Sequence, residues 1–329
     1  GFNGTSGGLL VHSRNSDRET VLFVDGRYRN YSERLSGSDL TVKLVEKSRV
    51  GLLNDVLRER GIESVHLERS TVSYDQFFKF RDKVTNPDRK EYGENWVLEQ
   101  RSRKTDDEVD CIREAIEQTL DVFELIESWL EPGLTERDLS RAIRRELESR
   151  SEGQSFDPLV LTGPNTANPH CPASDRELQE NDVLLVDQGL KIDGYCSDLT
   201  RMFFLGDPDP ELEELYDLSQ KAAAKAFGTI EDGVALGEVA EAAHSLVKDE
   251  GYEENLRHGL GHGVGLNVHE PPSLSSRSDG KLQSGMVVTL EPGIYIDGLG
   301  GGRIEHMVRV TDDGVELLDA PDEHLEEAL

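Results

Sequence analysis

The sequence is short of cysteine, lysine and long apolar runs, and each shortage removes a class of protein. The three cysteines, Cys111, Cys171 and Cys196, make no C-x-x-C pair and no disulfide framework. They read as small buried thiols in a reducing compartment, so a cytoplasmic location is expected. No apolar run approaches the ~20 residues of a membrane span, which excludes a membrane partner, and no signal peptide is legible. Basic residues are outnumbered: 36 Lys and Arg face 66 Asp and Glu, a formal net charge of −30. A phosphate backbone needs a basic face, so nucleic acid is excluded as a partner. A dinucleotide loop is missing too. In the glycine-dense run 259–265 the G-x-G-x-x-G spacing ends on Val264, with no strand-turn-helix context around it.

The negative charge is unevenly spread. Residues 1–93 hold 16 basic and 14 acidic side chains, leaving 20 basic and 52 acidic from 94 onward. Arginine outnumbers lysine 25 to 11. Such acidity with so little lysine suggests a protein kept soluble in strong salt, where self-repulsion is screened. At 329 residues the chain is long enough for two domains. Gly1 lies inside a turn-like stretch, so a short N-terminal piece is expected to precede it.

The patterning predicts an α/β (α+β) protein. Residues 9–11 and 21–24 are short apolar runs that read as a hairpin. Strands follow at 41–45 and 62–67, with helices at 49–60 and 74–83, making a small α/β domain over 1–93 that ends near Pro87. A linker or bridging helix occupies 94–105. Thr105-Asp106-Asp107-Glu108 is a capping box, opening a helix whose Val109, Ile112, Ile116, Leu120 and Phe123 keep helical spacing. Pro132-Gly133 breaks it, and a second helix runs over about 136–150.

Residues 106–329 then repeat themselves. E131-P-G-L-T-E-R-D-L-S-R-A matches E231-D-G-V-A-L-G-E-V-A-E-A at a shift of 100 residues, and V183-L-L-V-D-Q-G resembles V287-V-T-L-E-P-G. Each half offers two acids on a hairpin. Asp193-Gly194 is a two-residue turn that sets Asp198 opposite Gly189, with Asp187 a diagonal neighbour on the same face. In the second half, 287–296 pairs with about 302–310 across the turn Asp297–Gly301, and a register with Glu305 opposite Gly293 gives Glu291 the same diagonal place. Any single acid among 66 is an ordinary solvated carboxylate. Two on one face repel unless a cation lies between them. Three histidines, His258, His262 and His269, fall within twelve residues of the glycine-rich run, where four glycines rule out a helical His-x-x-x-His site. Four acids and a histidine make an oxygen-rich shell for two divalent ions.

The segments D187-Q-G, D198-L-T-R, H262-G-V-G-L-N-V-H269-E, E291-P-G-I-Y295 and R303-I-E305 resemble the pita-bread metallopeptidases. The N-terminal domain and G163-P-N-T-A-N-P-H170 resemble the Xaa-Pro peptidases among them, prolidase and aminopeptidase P. The resemblance covers nearly the whole chain. It implies a pseudo-two-fold pita-bread catalytic domain over 106–329, with Asp187, Asp198, His262, Glu291 and Glu305 as metal ligands. It further implies His170, His258 and His269 on the substrate side, with Tyr295 and Arg303 supporting the ligands. His306 departs from the family, which has Asp or Asn there; a strand neighbour points to the opposite face, so support is altered and ligation is not. The implied reaction is hydrolysis of the bond between an N-terminal residue and proline, with Glu291 also moving a proton. Two divalent ions, Mn2+ or otherwise Co2+ or Zn2+, suit an oxygen-rich shell. The expected partners are a peptide with proline at its second position and a second copy of the chain, with 1–93 serving dimerisation and walling the active site. A methionine aminopeptidase, a creatinase-like amidinohydrolase and a non-enzymatic pita-bread binding module are the alternatives.

Overall fold

The computed structural model describes residues 7–11, 20–32, 34, 40–68, 72–85, 89–92, 95–131, 133–321 and 323–328. Pro87, Pro132 and the polar stretch 12–19, all used in reading the sequence, lie outside the described residues. The chain divides into two compact units, Gly1–Trp96 and Val97–Leu329.

In the first unit, β1 (Gly7–Leu10) pairs antiparallel with β2 (Thr20–Asp25), which is the expected hairpin, and β2 pairs parallel with β3 (Leu40–Val45). The short helix α1 (Arg29–Ser32) follows β2. β4 (Ser64–Leu67) pairs parallel with β5 (Arg89–Tyr92). Helix α2 (Arg49–Glu59) starts where the Ser48 side chain accepts from the Gly51 amide, and α3 (Tyr74–Lys83) starts at a Ser73–Gln76 capping box. Each such cap contributes about 1 kcal/mol. Val21, Phe23 and Val56 form one small core, and Leu57, Val65, Phe80 and Val84 form another.

The second unit opens with α4 (Trp96–Ser102), which begins at the unit boundary, and α5 (Asp106–Ile126). The α5 start carries both reciprocal bonds of the capping box: Thr105 Oγ1 accepts from the Glu108 amide (3.4 Å) and Glu108 Oε2 from the Thr105 amide (2.8 Å). After α6 (Glu136–Arg150) come β6 (Leu159–Thr162), β7 (Val183–Gln188), β8 (Lys191–Ile192), β9 (Tyr195–Cys196) and β10 (Leu199–Phe204). Strands β6, β7 and β10 form one antiparallel sheet, with β7 central. Helices α7 (Pro210–Phe227) and α8 (Leu236–Asp249) start the second half. It continues with β11 (Gly261–Gly263), β12 (Glu270–Leu274), β13 (Val287–Leu290), β14 (Gly293–Ile296), β15 (Gly300–Arg303), β16 (His306–Thr311) and β17 (Gly314–Leu317), then α9 (Glu323–Ala328).

The internal repeat is real at atomic detail. Gly133 and Gly233 share φ of 90°, and their amides donate to Leu178 O and Leu282 O. Leu178 and Leu282 in turn donate back to Leu134 O and Val234 O. Each half thus latches a helix-breaking turn onto the loop ahead of its central strand. The strand alternation explains why V183-L-L-V is apolar throughout. Val183 and Leu185 join the core under α7 and α8, while Leu184 and Val186 join the core under α5 and α6. A strand covered on both faces has no polar side. A pair of helices therefore packs on each face of the central strands, which is the pita-bread arrangement.

One expected register is corrected. In the first half the ladder pairs Leu199 with Gln188 and Lys191 with Cys196, so Asp198 falls opposite Gly189 as anticipated. In the second, Gly293 faces Arg303, not Glu305, and the turn closes earlier, at Ile296↔Gly300. The continuous strand expected over 287–296 is also broken. Pro292 lacks an amide hydrogen, and β13 and β14 lie in separate sheets. The slip is two residues, so every side chain keeps its face and the acids still converge.

Candidate metal centre

The glycine-rich run contributes the short strand β11 and bends on either side of it. A Cβ on Gly261 would lie 2.1 Å from the Thr289 carbonyl oxygen, so only glycine lets β11 lie against β13 here. That approach brings His262 over the end of β13, where the His262 amide donates to Thr289 Oγ1 at 3.1 Å. Its ring Nδ1 donates to Gly263 O at 3.1 Å. The Nε2 lone pair is then left facing Glu291 Oε1 at 3.4 Å and Asp198 Oδ2 at 3.5 Å. Burial pulls the His262 pKa down to about 4, so the ring is neutral near pH 7. A neutral imidazole with one nitrogen pinned and the other exposed to carboxylates is the form that ligates a metal.

Asp198, His262 and Glu305 place ligand atoms within 4.8 Å of one another. Asp187 and Glu291 line the same cavity, of about 460 Å3, as do His170, His258, His269 and Arg303. The structure thus brings every residue singled out from the sequence to one place except Tyr295 and His306, which stand behind the lining. Tyr295 donates to His258 Nε2 (2.8 Å) and accepts from Arg303 Nη1 (3.0 Å). His258 Nδ1 donates to Gly259 O at 2.8 Å, which fixes its tautomer, and burial lowers its pKa to about 4. His306 points away from the acids and bonds through Nδ1 to Asp319 at 2.8 Å. Asp319 also takes Arg201 at 2.6 Å, and Arg201 Nη1 donates to the Glu305 carbonyl at 2.7 Å.

The acids are electrostatically frustrated. Desolvation raises the pKa of Asp187, opposed by Arg303. It raises Asp198 and Glu305 well above the usual carboxylate range, and the neighbouring carboxylates push the same way. Glu291 is pushed up to about 8, chiefly by burial. Asp187 Oδ1 is buried with no hydrogen-bond partner. Divalent cations relieve both the mutual repulsion and that orphaned oxygen. The donor set, carboxylate oxygens with one imidazole nitrogen, fits hard to borderline first-row ions.

Three supporting residues escaped the sequence reading. Thr200 donates to Glu305 Oε2 (2.8 Å) and accepts from Arg303 Nε (3.1 Å). Thr289 is the His262 anchor already described. Each stands two residues from a site acid, Asp198 or Glu291, so strand alternation alone signals its face. Glu136 left no such signal. Its buried carboxylate accepts from the Thr162 amide (2.7 Å), Thr162 Oγ1 (3.0 Å), Asn165 Nδ2 (2.9 Å), the Ser174 amide (2.8 Å) and Ser174 Oγ (2.5 Å). It thereby ties down both ends of the segment that carries His170.

Known proteins match both the sequence and the fold. The pattern of metallopeptidase family M24 matches residues 110–312. An uncharacterized peptidase of Staphylococcus aureus is 37% identical over 223 residues, which is 68% of this chain and 64% of that protein. The chain therefore spans somewhat under two thirds of the length of that relative. Among solved structures, an Xaa-Pro dipeptidase from Bacillus anthracis superposes with a TM-score of 0.91 at 30% identity, covering 98% of this chain and 89% of that one. An X-Pro aminopeptidase from Thermotoga maritima gives 0.83 at 31% identity, covering 93% and 86%. With the family pattern spanning more than half of the chain and all its site acids, the chain belongs to metallopeptidase family M24.

Proposed function

We propose that the chain is a peptidase dependent on two divalent metal ions that hydrolyses the bond between an N-terminal residue and proline. One observation carries this reading: the donor atoms of Asp198, His262 and Glu305 converge within 4.8 Å, with Asp187 and Glu291 lining the same cavity. The likeness to the Xaa-Pro dipeptidase and X-Pro aminopeptidase supports the choice of bond. Asp187, Asp198, His262, Glu291 and Glu305 would hold the ions, with Mn2+ the first candidate and Co2+ or Zn2+ suited to the same donors.

When bound, the ions supply Lewis acidity, making water nucleophilic near neutral pH and polarising the scissile carbonyl. The chain's own groups do the rest. Glu291 takes a proton from water on a carboxylate oxygen and returns it to the leaving proline nitrogen. His170 and His269 donate to the oxygen that gains charge, or orient the proline side of the peptide. Arg303 holds Asp187 through Nη2 and Tyr295 through Nη1, and Tyr295 fixes the His258 ring. A homodimer belongs to the same reading, and light scattering at twice the 36.7 kDa chain mass would support it.

The test is a substrate panel on metal-loaded protein: Ala-Pro, Ala-Pro-Ala, Met-Ala and creatine. Cleavage confined to the two proline peptides is expected. Turnover of Met-Ala or creatine in their place would sink the Xaa-Pro assignment while leaving the metal centre standing.

A further inference from the structure

A second cavity, of about 550 Å3, adjoins the candidate metal centre, and Asp157 and His170 line both. One wall of it is a face of α6. Arg137, Arg141, Arg144 and Arg145 recur there at the i, i+4, i+7, i+8 spacing that puts side chains on one stripe of a helix. Four guanidinium groups on one wall stand out in a chain of formal net charge −30. Three of them lean on carboxylates: Arg137 on Asp175, Arg141 on Asp138 at 3.4 Å and Arg144 on Asp157 at 2.8 Å. The Asp175 and Asp157 side chains are 75% and 77% exposed, so these pairs are water-screened and each is weak. Among the described residues no acid pairs with Arg145, and its side chain is exposed. A guanidinium offers a planar fork of donors that matches a carboxylate.

We propose that this arginine-lined cavity receives the part of the substrate beyond proline and selects peptides that carry a carboxylate there. The proposal rests on the Xaa-Pro reading for the position of the scissile bond. With that bond at the acids and proline beside His170, the following residues run past His170 toward α6. An incoming carboxylate displaces the exposed aspartates from their arginines and meets Arg145 directly. The carboxylate has two possible sources, an acidic side chain or the C-terminus of a short peptide. Arg141 and Arg145 are exposed, so changing them costs α6 little stability.

Metal-loaded full-length protein is assayed on Ala-Pro-Glu-Ala and Ala-Pro-Ala-Glu against their Gln counterparts, all C-terminally amidated, and on Ala-Pro-Ala-Gln as free acid against amide. Glu over Gln identifies the side chain, and acid over amide identifies the C-terminus. In either case a carboxylate preference of about fivefold in kcat/KM is expected, the upper range for a solvent-accessible ion pair. It should arise in KM, shrink in molar salt and fall toward one in the Arg141→Gln, Arg145→Gln double variant. Replacing both by lysine should restore part of it. A preference of one in the unaltered protein, or one that the double variant leaves intact, overturns the proposal. Binding of the same peptides to metal-free protein, read by calorimetry, separates the two readings. A carboxylate preference that vanishes in the variant supports the cavity even if no peptide is cut, and that failure of cleavage counts against the Xaa-Pro reading alone. Proline peptides cut and bound with no carboxylate preference overturn the cavity alone.

Discussion

Arg303 Nη2 donates to Asp187 Oδ2 at 2.6 Å, while Oδ1 of the same carboxylate is buried without a hydrogen-bond partner. One oxygen is thus committed to a fixed cation of the protein and the other is free for a metal. Arg303 also bonds Tyr295 and Thr200, so one guanidinium positions an acid from each half of the repeat, Asp187 directly and Glu305 through Thr200. Lysine keeps the charge but not the fork. Arg303→Lys is therefore expected to weaken metal binding by about tenfold to a hundredfold, as loss of groups supporting metal ligands does. It should also cost about 3 kcal/mol of stability from buried groups left unpaired. Metal titration calorimetry and denaturant unfolding check the two numbers; an unchanged affinity would show that Arg303 does not orient a ligand.

Asp198→Asn removes a carboxylate charge from the cluster while preserving its shape. At least one ion should be lost and turnover should fall by orders of magnitude, with an unchanged circular dichroism spectrum. Elemental analysis of the purified variant is the check. Full metal content with normal turnover would contradict the ligand assignment.

Lys104 gives a pH dependence away from the metal centre. Its ammonium is almost fully buried 3.7 Å from Glu270, and burial pulls its pKa down to about 8 against the attraction of Glu270. The unfolded chain then holds this proton more tightly than the native protein, so native stability rises with pH between about 8 and the ordinary lysine value of 10.5. Below pH 8 both states are protonated and the full penalty, up to roughly 3 kcal/mol, remains. Comparing unfolding of the natural protein with Lys104→Met across that range isolates the effect. The stability difference should move in favour of lysine as pH rises, and a flat difference would remove Lys104 as the cause.

The charge distribution predicts a salt response. Residues from 94 onward carry 20 basic and 52 acidic side chains, and their mutual repulsion loosens the native state when unscreened. Melting temperature should rise from low to molar salt. A flat or falling curve would count against adaptation to strong salt.

Much of this was legible in the sequence because strand alternation and turn chemistry are local. Asp193-Gly194 fixed the first hairpin, and the observed φ of 49° and 84° are those of a two-residue left-handed turn. The second hairpin was harder. Asp297-Gly298 is the same dipeptide, but here the loop holds three residues, 297–299, and runs straight into three glycines, Gly300, Gly301 and Gly302, whose lack of side chains marks no strand face, so the register came out two residues off. The site acids survived that slip because side-chain direction repeats every two residues. Glu136 was hidden for a different reason. Nothing in T135-E-R-D distinguishes a solvated first-turn acid from one buried under a loop almost forty residues away in sequence. The arginine stripe on α6 was equally silent, since an arginine-rich helix face reads as a solvated one until the cavity beside His170 is seen.

The central claim, that two metal ions held by Asp187, Asp198, His262, Glu291 and Glu305 serve hydrolysis at proline, is tested most directly by one titration. Protein stripped of metal by chelation is given Mn2+ in increments while alanine released from Ala-Pro-Ala is measured. The account predicts negligible release without metal and a rise that saturates at two equivalents per chain. Equal release from the stripped protein, or no release at any metal concentration, would contradict it.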